Sequence, residues 1–211
     1  MLSRLIGKFL VLVAIIYSCG SSSKDDNPLA DDTIQILFLG NSLTYFNDLP
    51  SLVAQKAKEQ NVNIKTEMIA FPNYALEDHW NDGKVQKQMK TGKYKYLVIQ
   101  QGPSSQEYGR ETLFEYGAKL KQLCDQNNAE LVYFMVWPSQ TYYYTFDGVI
   151  KNHRDAAIEN DAILCPVGEV WKAHFDETED FSYYGSDGFH PSQQGSEVAA
   201  EVIVETLFNW Q

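Results

Sequence analysis

Read for the spacing of its apolar positions, the chain begins with a stretch unlike the rest. Residues 9–17 are an unbroken apolar run of nine, and Arg4 and Lys8 are the only charges in residues 1–18. A membrane-spanning helix needs about 20 such residues, whereas nine suits the core of a secretory signal. Residues 20–32 (GSSSKDDNPLADD) are polar and predict a flexible tether. From residue 33 the pattern alternates. Short apolar runs at 34–39, 62–70, 96–101, 129–137 and 162–167 predict five strands. Between them, wider apolar spacing predicts helices over 49–60, 76–90, 111–126, 148–159 and 191–210, with Asp82-Gly83 as a candidate break in the second.

Strands alternating with helices in one domain predict an α/β fold: a parallel five-stranded sheet with helices on both faces. In such folds ligands sit beyond the carboxyl ends of the strands. The loops to search are therefore 40–45, 70–76, 100–105 and 137–144, together with 183–191 before the last helix.

Charge narrows the function. Lys+Arg 17 against Asp+Glu 28 gives −11, which argues against nucleic acid and against adsorption to anionic lipid through a basic surface. The junction Ile16-Tyr17-Ser18-Cys19-Gly20 resembles a bacterial lipoprotein box, with a small residue before the Cys. The resemblance implies a signal peptide over 1–18, a lipid on Cys19, a tether over 19–32 and a folded domain over 33–211. The membrane is then met through the N-terminal lipid only, outside the cytoplasm. The Ser-Lys-Asp-Asp stretch resembles surface-export signals of some lipoproteins, which points to the outer membrane surface. Losing residues 1–18 removes Arg4 and Lys8 and no acid, so −11 becomes −13. Cys124 and Cys165 are expected as two buried thiols, with a disulfide as the alternative.

Two motifs carry the chemistry. The first strand runs into Gly40-Asn41-Ser42, and the last loop holds Asp187-Gly188-Phe189-His190-Pro191. A Ser hydroxyl is a poor nucleophile until a base takes its proton, and His suits that task near neutral pH. The His in turn needs a partner on its other ring nitrogen. Together the two motifs resemble the SGNH/GDSL hydrolase family. The resemblance implies a three-layer, flavodoxin-like fold with Ser42 as nucleophile, His190 as general base and acid, and Asp187 as its orienter. It also implies an oxyanion hole. One donor is the backbone N–H of Ser42 or of the residue after it. In the second block Asn73 stands where the family has Gly. In the third, Ile99-Gln100-Gln101-Gly102-Pro103-Ser104-Ser105, no Asn is present, so Gln101 is the expected carboxamide donor and Ser104 the alternative.

Within the same loops, Asn41, Tyr74, Ser104, Trp137 and Tyr143 are expected against substrate. Aromatics are dense there, which suits sugar faces or acyl chains. His79 and Trp80 are expected as a structural pair holding their helix, and His153 and His174 as surface residues. The scattered His and Cys predict no metal site, and the chemistry asks for no cofactor. The reading is a lipid-anchored serine esterase that acts on an acylated small molecule or an acetylated glycan. A non-catalytic glycan-binding lipoprotein, or a lipase, thioesterase or acyltransferase of the same family, is the alternative.

Overall fold

The computed structural model describes residues 33–208; the expected signal peptide, Cys19 and the tether lie outside them. Five strands, β1 (Ile34–Gly40), β2 (Ile64–Ala70), β3 (Tyr96–Ile99), β4 (Glu130–Phe134) and β5 (Ile163–Cys165), form one sheet in the order β2-β1-β3-β4-β5. Every pairing is parallel. The helices are α1 (Ser42–Tyr45), α2 (Leu49–Glu59), α3 (Leu76–Asp82), α4 (Lys84–Met89), α5 (Glu107–Gln126), α6 (Phe146–Glu159), α7 (Val167–Thr178) and α8 (Gln193–Phe208).

The period-2 geometry of β1 explains its unbroken apolar run. Ile36 and Phe38 face one core, with Val53 of α2, Trp171 of α7 and Ile203 of α8. Leu37 and Leu39 face the other, with Leu76 of α3, Met89 of α4 and Leu120 of α5. A central parallel strand is covered on both faces, so neither face tolerates a polar residue. The result is three layers, as expected. Chain direction across the sheet reverses between β1 and β3, and the crevice at that reversal is where doubly wound sheets bind ligands.

Local signals account for most boundaries. Gly83, with φ +73°, separates α3 from α4 at the expected break. Pro50 sits in the first turn of α2, where a missing N–H costs nothing. Two helices are unanticipated: the short α1, where a loop is expected, and α7, which follows β5 almost directly. Its inward residues Val167, Trp171 and Phe175 recur every four positions, but charged residues between them dilute the periodic signal. Among the described residues no helix is long and apolar enough to cross a membrane.

Cys124 and Cys165 are free and fully buried in different cores, one on each face of the sheet. Burial pushes both thiols up to about 12. His153 corrects an expectation. It lies inside α6 rather than on the surface, with Nδ1 donating to the Val149 carbonyl at 2.8 Å and Nε2 buried without a partner. His174 is half-buried, stacked on Tyr183 at 4.2 Å.

Burial pushes His153 down from 6.5 to about 4. As the pH falls through that window the unfolded chain takes up a proton that the folded chain refuses, so stability falls with pH. From pH 7 to pH 5 the loss is on the order of 2 kcal/mol. Urea unfolding at both pH values should show that loss in the parent and a smaller one in His153→Leu; equal losses would contradict it.

Candidate active site

The turn that carries Ser42 is built from buried polar contacts. Leaving β1, the chain places Asn41 as the cap of α1: its Oδ1 accepts from the Leu43 N–H at 3.1 Å, and its Nδ2 donates to the Tyr74 carbonyl at 3.1 Å. Gln100, just past β3, fixes the same turn. Its Oε1 accepts from the Asn41 N–H and from Thr44 Oγ1, both at 2.9 Å. A Cβ on Gly40 would fall 2.6 Å from that oxygen and against Thr44 Oγ1, so only glycine fits there. On the other side, His79 Nε2 donates to the Gly40 carbonyl at 2.8 Å. The His79 ring is buried and packed edge-on to Tyr74 at 5.0 Å. Burial lowers its pKa, so it holds the turn as a neutral donor. Ser42, first residue of α1, emerges half-buried from this frame.

The second half of the site lies in the loop before α8. The loop is closed at its base by a Gly185 N–H to His190 carbonyl bond of 2.7 Å and a Ser192 N–H to Tyr183 carbonyl bond of 2.9 Å. Asp187 Oδ1 accepts from the backbone N–H groups of Phe189 and His190, each at 2.9 Å. Its Oδ2 lies 2.6 Å from His190 Nδ1. The His190 hydrogen bond, with the two backbone donors, holds the Asp187 carboxyl below the usual carboxylate range. Asp187 is therefore ionised at neutral pH and accepts the Nδ1 proton, which leaves the Nε2 lone pair free to act as a base.

Two residues that sequence reasoning missed bring these halves together. Phe46, four residues after Ser42, stacks on the His190 ring at 4.5 Å with planes 18° apart. Asn47 Nδ2 donates towards the Pro191 carbonyl, the Ser192 carbonyl and Ser196 Oγ at 3.1, 3.1 and 2.9 Å. Asn47 and Asp48 both take left-handed backbone, with φ 53° and 52°. Asn and Asp tolerate that region better than most residues. Asn47-Asp48, just ahead of Pro50, hints at a turn, but nothing in one sequence pairs it with position 190.

The expected oxyanion donors fall into two kinds. Asn73 stands exposed with φ 62°, left-handed backbone that glycine adopts freely and Asn tolerates better than most residues. Gln101 is buried, and its Oε1 accepts from the Leu76 N–H at 2.8 Å. That bond fixes the carboxamide and leaves Nε2 as its available donor.

Four of the five residues expected against substrate are corrected. Asn41 is buried, with both ends of its carboxamide spent on the turn. Ser104 is buried and donates to the Gly102 carbonyl at 2.7 Å. Trp137 has 0% exposure; it stacks on Trp171 at 3.5 Å and donates to the Phe189 carbonyl at 3.0 Å, so it supports the His190 loop from beneath. Tyr143 turns away to Asp176 Oδ1 at 2.5 Å. Only Tyr74 keeps a partly exposed position beside the turn. A cavity of about 640 Å³ borders Phe189, the residue before His190, and is lined also by Pro103, Ser105, Gln106, Tyr142 and Tyr144. Among the described residues no cluster of His, Cys, Asp or Glu is arranged to hold a metal ion.

No protein-family model and no curated protein matches this chain. Solved structures do. A protein assigned as an SGNH hydrolase from Slackia heliotrinireducens is 22% identical, with TM-score 0.66 over 83% of this chain and 99% of its own. A lipase/acylhydrolase from Enterococcus faecalis is 14% identical, with TM-score 0.66 over 82% and 94%. A variant of an acetyl-xylooligosaccharide esterase from Geobacillus is 16% identical, with TM-score 0.63 over 84% and 95%. The order β2-β1-β3-β4-β5 with helices on both faces is thus the fold of the SGNH/GDSL hydrolases.

Proposed function

We propose that the protein is a serine hydrolase of carboxylic esters, held outside the cytoplasm on a bacterial membrane by a lipid on Cys19, and that it removes acetyl groups from glycans. The observation that carries the enzymatic reading is the Asp187–His190 pair, with 2.6 Å between Oδ2 and Nδ1, stacked through Phe46 onto the helix that begins at Ser42.

In this reading His190 Nε2 takes the Ser42 hydroxyl proton as Oγ bonds to the ester carbonyl carbon. The carbonyl oxygen becomes an oxyanion, and the Ser42-turn backbone N–H, the Asn73 N–H and Gln101 Nε2 are its donors. Collapse breaks the bond between carbonyl carbon and alcohol oxygen, and His190 passes its proton to that oxygen. An acyl-Ser42 remains. Water, deprotonated by His190, attacks it and releases the acid, and the proton returns to Ser42. Asp187 stays ionised throughout and holds the imidazole in the useful tautomer. No cofactor enters any step.

The substrate class draws on two supports. Solved structures with this fold include an acetyl xylan esterase and an acetyl-xylooligosaccharide esterase, and the cavity beside Phe189 is bounded by neutral residues. The lipid anchor rests on the Cys19 junction alone.

Ser42→Ala should lower kcat on p-nitrophenyl acetate by more than about a thousandfold while leaving the thermal midpoint in place. Equal rates in the two proteins would refute the nucleophile assignment. For the anchor, cells expressing the parent should incorporate labelled palmitate into the protein and those expressing Cys19→Ala should not; label retained in the variant would refute it.

A further inference from the structure

We propose that the cavity beside Phe189 is the leaving-group subsite of the reaction and that Tyr142 and Tyr144 form in it a platform for an uncharged saccharide. The proposal rests on the ester-hydrolase reading for its direction and on the geometry of the loops for its content.

The direction follows from proton bookkeeping. When the carbonyl carbon–oxygen bond breaks, the departing alcohol oxygen takes its proton from His190 Nε2, so the alcohol must lie within hydrogen-bond reach of that ring. Phe189, the residue before His190, borders the cavity. The opposite border comes from the loop after β3, which also carries Gln101. The cavity thus lies between the loop that carries His190 and the loop that carries Gln101.

The tyrosine loop is held rigidly to the catalytic loop. The Gln140 N–H donates to the Gly188 carbonyl at 2.7 Å. Tyr184 Oη donates to the Pro138 carbonyl at 2.7 Å, and Trp137 Nε1 to the Phe189 carbonyl at 3.0 Å. Three successive tyrosines then divide their work. Tyr143 turns inward, against Phe146 at 5.0 Å and Phe181 at 5.8 Å, with its hydroxyl on Asp176. Its neighbours turn outward: Tyr142 is 57% and Tyr144 80% exposed, with their rings edge to face at 6.3 Å. Folding gains little from two large rings left in water, so their placement at a cavity next to the catalytic loop calls for a ligand.

The chemistry of the lining selects that ligand. Beside the rings stand Ser105, Gln106, Ser139 and Thr145, which offer hydroxyl and carboxamide groups, and no lining residue carries a formal charge. Rings for the apolar face of a sugar and neutral donors and acceptors for its hydroxyls match a neutral saccharide. A phosphate or uronate would find no cation to clamp it. A volume of about 640 Å³ falls within the roughly 300–1,000 Å³ of small-ligand sites.

The test compares two esters of one acid: an acetylated xylo-oligosaccharide, and ethyl acetate, whose alcohol is too small to reach the platform. In Tyr142→Ala/Tyr144→Ala the ratio of kcat/KM for the first over the second should fall about tenfold, through KM. Both side chains are exposed, so the replacement spares the core. An unchanged ratio would overturn the proposal, as would tighter binding of a uronate-bearing oligosaccharide. Calorimetry on the Ser42→Ala protein separates the two readings. Binding of the deacetylated oligosaccharide that weakens with the tyrosine replacements supports the subsite even if no ester is cleaved, and no binding refutes it. Absent hydrolysis of both esters counts against the enzymatic reading alone.

Discussion

The turn that carries Ser42 and the loop that carries His190 lie near opposite ends of the sequence, and side chains make the join between them. Asn47 reaches the Pro191 carbonyl across 144 residues of sequence, and with it the Ser192 carbonyl and Ser196 Oγ. The bonds require Asn47 to leave helical backbone, which it does with φ 53°. Phe46, one residue earlier, then lies flat on the His190 ring. This contact between a strand-end turn and the loop before the last helix is what brings Ser42 and His190 into one site. The sheet supplies the place for it, at the reversal of chain direction between β1 and β3.

The two halves of the site are held by different means. The Ser42 side is deep. Gln100 and His79 clamp the backbone of Gly40 and Asn41 from opposite sides, and each keeps one buried nitrogen without a partner, Gln100 Nε2 and His79 Nδ1. An unmade bond of this kind costs about 1–3 kcal/mol, and the bonds that Gln100 Oε1 and His79 Nε2 do make offset it. The His190 side is shallow and held by its own backbone, with Asp187 bonded to two N–H groups of its loop and to the imidazole. Trp137 supports that loop from the core. Ser42 is thus held in a deep, fixed turn, and His190 sits on a shallower, partly exposed loop.

Much of this architecture was legible in the sequence, and the gaps have physical causes. The alternating runs marked five strands because a parallel sheet covered on both faces has to be apolar on both, as 34–39 shows. The helix Val167–Thr178 escaped because its inward side is only Val167, Trp171 and Phe175 with charges between them. Gly40-Asn41-Ser42 and Asp187–His190 could be read since each motif is local. Phe46 and Asn47 could not, because their partners are remote. Trp137, Tyr142, Tyr143 and Tyr144 read alike as strand-end aromatics, yet one is wholly buried, one turns to Asp176 and two face solvent. Composition marks aromatic loops; only tertiary packing sorts the rings.

The central claim is that Ser42 is made nucleophilic by His190. Its most direct measurement is mass spectrometry of the protein after exposure to a fluorophosphonate, with peptide mapping of the adduct. One adduct per chain should form, located on Ser42, absent from Ser42→Ala and strongly slowed in His190→Ala. A folded protein that takes no label, or a Ser42→Ala protein that still takes it, would show that Ser42 is not the nucleophile.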